Sequence, residues 1–97
     1  MKTYNEIKEI LSIHKKELYK KYRIKELWIF GSIARGEQKK GSDVDILVDF
    51  NKVPDLLKFI EIEQALKTIV GIEVDLVRKQ ALRPELKDKI LSEVIKV

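Results

Sequence analysis

The sequence predicts an α/β chain of the α+β kind, with one small mixed sheet, helices packed mainly on one face and the other face left open. Three observations carry this expectation. Apolar residues recur at helical spacing near the start, in the middle and at the end, whereas the runs at 25–30, 43–50 and 72–77 have the length and β-branched content of strands. A helical pattern separates the second run from the third, which favours a right-handed crossover and parallel pairing between them. Aspartates alternate along the second run and one interrupts the third, so one sheet face is marked as polar.

Thr3 followed by Glu6 has the form of a capping box, in which the threonine oxygen accepts from an orphan helix amide and the glutamate reaches back. Ile7, Ile10, Leu11, Leu18 and Tyr22 then mark an amphipathic helix over about 4–22. His14 falls on the same stripe and reads as a structural histidine, packed or half-exposed. KELWIF, 25–30, is a buried strand ending at Gly31, with Trp28 expected in the core. GSIARGEQKKGS, 31–42, is a loop with room for one helical turn near Ile33 and Ala34. DVDILVDF, 43–50, is the second strand and places Asp43, Asp45 and Asp49 on one face. Its orientation relative to the first strand is left open by the loop length.

After a turn at 51–54, residues Leu56, Leu57, Ile60, Ala65, Leu66 and Ile69 carry a second helix that stops at Gly71. IEVDLV, 72–77, is the third strand. Pro84 suits the first turn of a closing helix with Leu86, Ile90, Leu91, Val94 and Ile95 on its apolar face. No repeat, low-complexity stretch or linker interrupts the chain, so residues 1–97 read as a single domain.

Composition narrows the chemistry. The 97 residues are 44% hydrophobic and 37% charged, as expected of a folded globular domain and not of a disordered tail. No apolar run approaches the roughly 18–20 residues that span a bilayer, and no hydrophobic signal core follows Met1. Cysteine is absent, which removes disulfides and thiolate sites and suits a cytoplasmic location. With His14 as the lone imidazole, the ligand set for zinc is missing too. Twenty basic and 16 acidic residues are interspersed to give a net charge of +4, the pattern of a solvated lysine-rich surface more than of a polyanion-binding patch.

The chemistry-bearing residues are acidic. Asp43 and Asp45, at i and i+2 of a strand, project to one face with α-carbons roughly 6.5–7 Å apart. Carboxylates so placed can share or bridge magnesium ions, which take a few carboxylates together with water and phosphate oxygens. Asp75 sits between Val74 and Leu76, and it joins the pair if its strand lies beside that of Asp43. Gly31-Ser32 follows an apolar strand, where glycine permits close backbone approach, turn amides can cradle an anion and the serine hydroxyl can add a hydrogen bond. Arg35 adds a planar cation suited to phosphate oxygens. Gly31 and Gly36 have the spacing of a P-loop, but Glu37 and Gln38 stand where lysine and a hydroxyl residue are required, so that reading fails.

Taken together, Gly31-Ser32, then Asp43-x-Asp45, then the strand residue Asp75 resemble the DNA polymerase beta-type nucleotidyltransferase superfamily. The run GSIARGEQKKGSDVDILV and the short length resemble its minimal nucleotidyltransferases, known from HEPN/MNT toxin–antitoxin pairs. The resemblance implies the polymerase beta-type fold and an enzyme that transfers AMP from ATP in a Mg²⁺-dependent reaction. It implies that Asp43, Asp45 and Asp75 are both catalytic and metal-binding, with two Mg²⁺ ions expected, and that Gly31 and Ser32 contact the nucleotide. Arg35 and Ser42 belong to the same loop pattern and are given phosphate-binding or loop-ordering roles. The partner implied is a HEPN-type ribonuclease toxin, modified on a tyrosine by this chain as antitoxin. Two other readings stay open at this level: an interaction module with an idle site, and transfer to a small molecule or RNA end.

Overall fold

The computed structural model describes residues 4–30 and 44–97. Thr3 of the expected capping box, Gly31, Ser32, Arg35, Ser42 and Asp43 lie outside the described residues. The elements are α1 (Tyr4–Tyr22), β1 (Ile24–Phe30), β2 (Val44–Phe50), α2 (Leu56–Val70), β3 (Val74–Arg78), a 3-10 turn (Lys79–Ala81), α3 (Pro84–Glu93) and β4 (Ile95–Lys96).

The sheet order is β3-β2-β1-β4. β2 pairs in parallel with β3, as the helical crossover requires, and antiparallel with β1, the orientation that the loop length left open. β4 pairs antiparallel with β1 through Trp28–Lys96 and Ile29–Ile95. This edge strand corrects the sequence expectation, which ran the closing helix through Val94 and Ile95. The helix stops at Glu93 because Val94 is already extended (φ −81°, ψ 152°), and the backbone of Val97 donates to the Leu27 carbonyl at 3.0 Å. The terminal residues gain sheet hydrogen bonds that one more turn of an exposed helix would not replace with buried contacts.

One sheet face meets α1 and α2. Ile7, Leu11, Leu18 and Tyr22 of α1 and Ile62, Leu66 and Val70 of α2 pack on Leu27, Ile29, Val44, Ile46, Val48 and Leu76. Their spacings of four and seven residues put each set on one helical stripe. Leu56, Leu57 and Ile60, among the apolar residues that carry the second helix in the sequence, are 73%, 79% and 45% exposed. The core stripe runs instead through Ile62, Leu66 and Val70, since a helix rotates about 100° per residue and cannot bury both sets. Asp55 caps α2, its carboxylate accepting from the Lys58 amide at 2.8 Å, and Gly71 ends the helix at φ 82°, where a side chain would be costly.

α1 terminates at Arg23, a non-glycine residue at φ 55°, whose carbonyl accepts from the Asn51 amide at 2.8 Å. His14 is half-buried, with Nδ1 2.9 Å from the Ile10 carbonyl oxygen, the structural role expected. No helix among the described residues is long and apolar enough to cross a membrane.

The second sheet face is open only at one end. Leu47 is fully buried and Asp49 is 9% exposed, although both lie on this face by alternation with Asp45. The 3-10 turn packs against β2, and the Gln80 amide donates to Asp49 at 2.7 Å. Asp49, aligned with the other aspartates in sequence, is therefore a buried partner of Gln80. Trp28 is also corrected: it is half-buried on this second face, not in the main core, with the Lys79 ammonium 5.4 Å from its ring centroid. α3 buries none of its residues, so it does not seal this face.

Candidate active site

The parallel register between β2 and β3 decides which carboxylates meet. Asp45 pairs with Asp75, Ile46 with Leu76 and Leu47 with Val77. Residues directly opposite each other on neighbouring strands have α-carbons about 5 Å apart and project to the same face. Asp45 is half-buried and Asp75 exposed, so the pair stands where the second face opens to solvent. On its other side Asp45 is paired with Phe30, the residue that precedes Gly31 in the chain.

Three contacts hold this register. The Val44 amide donates to the Glu73 carbonyl at 2.9 Å, fixing the start of β2 against the start of β3. Glu63, reaching from α2, accepts from the Leu76 amide at 3.1 Å, which satisfies a donor on the outer edge of the sheet. Lys67 and Glu73 form an exposed ion pair at 2.6 Å between α2 and the approach to β3. A one-residue slip would turn Asp75 to the helix-covered face. Glu63 and Gln80 thus support the site from outside it, and neither carries a local sequence signal, since their partners are 13 and 31 residues away.

In chemical terms the pair offers hard oxygen donors at a solvent-open sheet end, the donor type that suits Mg²⁺. Among the described residues no group of three or more His, Cys, Asp or Glu gathers into a metal site; the expected third carboxylate, Asp43, lies outside them. So do the four loop residues expected to meet the nucleotide, Gly31, Ser32, Arg35 and Ser42. Of the residues singled out from the sequence, the structure brings together Asp45 and Asp75 and assigns Asp49 elsewhere.

Comparison with known proteins agrees with this frame. Residues 11–97 match the nucleotidyltransferase domain family. The protein adenylyltransferase MntA of Thermococcus cleftensis is 50% identical over 97 residues, covering 100% of this chain and 98% of that one. A solved minimal nucleotidyltransferase superposes with a TM-score of 0.73 at 32% identity, over 94% of this chain and 88% of that one. A toxin–antitoxin structure with AMP-PNP shares the fold, with a TM-score of 0.71 at 23% identity over 87% of this chain and 69% of that one. With an open mixed sheet, a carboxylate pair at its open end and a family match over most of its length, the chain belongs to the nucleotidyltransferase family, in its minimal nucleotidyltransferase branch.

Proposed function

We propose that this chain transfers AMP from ATP to a partner protein in a Mg²⁺-dependent reaction, and that it serves as the antitoxin of a HEPN-type ribonuclease toxin in the cytoplasm. The observation that carries the reading is the register pairing of Asp45 with Asp75 at the solvent-open end of the sheet. The choice of a protein acceptor is supported by the identity, over the whole chain, to a protein adenylyltransferase.

In this reading Asp43, Asp45 and Asp75 hold a pair of magnesium ions, and Gly31 and Ser32 receive the triphosphate. Arg35 and Ser42 contact phosphate oxygens or order the loop. Bound magnesium supplies Lewis-acid neutralisation of the charge that builds on the phosphate oxygens. Asp75 is the exposed member of the pair, so it can accept the proton of the attacking hydroxyl and release it to water. The acceptor oxygen bonds to the α-phosphorus in line, the bond from that phosphorus to its bridging oxygen breaks, and pyrophosphate leaves.

The test is an intact mass spectrum of the protein encoded by the neighbouring gene after incubation with this chain, ATP and Mg²⁺. The expected result is a gain of one or more AMP groups that disappears with Asp43→Asn/Asp45→Asn. A stable complex with no mass gain on either protein would instead support a binding module.

A further inference from the structure

At the end of the sheet remote from Asp45 and Asp75, an apolar patch adjoins a basic cavity. Val53, Leu56, Leu57 and Ile60 are 52%, 73%, 79% and 45% exposed, and the last three lie at i, i+1 and i+4 on the first turns of α2. These are large aliphatic side chains left in water while the same helix buries Ile62, Leu66 and Val70. The adjoining cavity, about 320 Å³, is lined by Lys21, Arg23, Lys52 and Lys58. Among the described lining residues it holds one carboxylate, Asp55, already engaged as the cap of α2, and of the four cations Lys58 is paired at 2.8 Å with the exposed Glu61 beside the cavity. The cavity is held in shape by the left-handed turn at Arg23 and the bond from Asn51 to its carbonyl. A second groove of about 430 Å³ between α1 and α2 shares Lys21 and Tyr22 with it. Asn51 follows the last residue of β2 and is six residues beyond Asp45, so this surface stands about 20 Å from the carboxylate pair.

We infer that this surface docks a protein segment that is acidic and carries apolar side chains, such as an amphipathic helix with carboxylates flanking its apolar stripe. Charge complementarity selects that occupant. Two copies of this chain meeting symmetrically through the patch would set each ring of cations against its equal, and the chain as a whole carries +4. Single-stranded nucleic acid would match the charge, but it stacks its bases on exposed aromatic rings. Among the described lining residues the one ring, Tyr22, is 7% exposed, and aliphatic side chains fill the place a stacking platform would take. An acidic amphipathic segment satisfies both halves: its apolar stripe covers Leu56, Leu57 and Ile60, while its carboxylates reach Lys21, Arg23, Lys52 and Lys58. Docking there leaves the open end of the sheet clear for a distant part of the same partner.

The test titrates the full ¹⁵N-labelled chain with a synthetic helical peptide bearing leucines at i, i+3, i+4 and i+7 and glutamates on the flanks. A lysine-for-glutamate version and a single-stranded oligouridine run beside it. The expected result is amide shifts clustered at 21–23 and 52–60 with the acidic peptide alone, weakening as salt rises. Binding should fall about tenfold or more in Leu56→Ser/Leu57→Ser and in Lys52→Glu/Lys58→Glu, and thermal denaturation should report both variants folded, because all four side chains are exposed. Equal binding of the basic peptide, tighter binding of oligouridine, no shifts at these amides, or peptide-free shifts there that grow with protein concentration would each overturn the inference.

Discussion

Replacing Asp75 with asparagine separates a functional carboxylate from a structural one, because the two roles change stability in opposite directions. Asp75 lies directly opposite Asp45 across the parallel pair, on strands about 5 Å apart. Two like charges at that distance repel by about 3 kcal/mol at an effective dielectric of about 20, and by about 0.8 kcal/mol in water. Asp75 is exposed to solvent, so the lower figure applies. In EDTA, Asp75→Asn should therefore leave the chain as stable as before or raise stability by up to about 1 kcal/mol, a Tm gain of at most roughly 4–8 °C for a domain of this size. With saturating Mg²⁺ and a non-hydrolysable ATP analogue the order should invert. Ligand at about 100 times its Kd stabilises the parent chain by about 2.7 kcal/mol, and the variant should forfeit most of that gain along with AMP transfer. Differential scanning calorimetry in the two buffers, with the mass assay beside it, reads both effects. A variant that melts well below the parent in EDTA would refute the reasoning, since Asp75 would then be holding the strand together. So would a variant stabilised by the nucleotide analogue as much as the parent.

Other outcomes follow from the same contacts. Asp55→Ala removes the cap of α2 and should cost about 1 kcal/mol in denaturant unfolding. Leu47→Ala should cost about 2–5 kcal/mol despite the absence of Leu47 from the main core, because the side chain is fully buried under the second face; a loss well under that range would mean that the 3-10 turn closes over the gap. Tyr19 has its pKa raised above 10.0, chiefly by burial and further by the Glu26 carboxylate, against a lowering from the Leu27 amide that donates to its oxygen. The folded state thus favours the neutral phenol, so its contribution is present below pH 10 and is lost as the pH climbs through the raised value. Ultraviolet titration should find Tyr19 ionising late, a signal that Tyr19→Phe removes, and that substitution should flatten the alkaline limb of the stability profile.

The elements that were legible in the sequence are those whose signal is local. Ile7, Leu11 and Leu18 repeat along one helical stripe, and the runs around Leu27, Ile46 and Leu76 carry the burial and branching of strands. Gly71 marks a helix end that only a residue tolerant of positive φ can make. The crossover helix even foretold that β2 and β3 run in parallel. The misread positions share the opposite property. Leu56, Leu57 and Ile60 look like core residues until the helix is rotated against its sheet, because an apolar side chain does not state which face is covered. Ile95 looks like the last turn of a helix, and only the vacant edge of β1 makes it a strand. Asp49 is indistinguishable from Asp45 by alternation, and a glutamine 31 residues later turns it into a buried structural partner.

The site divides along the same line. Sequence alone determined that carboxylates alternate on one strand, that another interrupts a later strand, and that a Gly-Ser turn precedes them, since residue type and the two-residue period of a strand need no partner to be read. That Asp45 and Asp75 stand side by side was decided by the tertiary structure. Strand register is set by contacts between segments far apart in the chain, here Val44 with Glu73 and Leu76 with Glu63, and a shift of one residue would have left the same aspartates on opposite faces of the sheet.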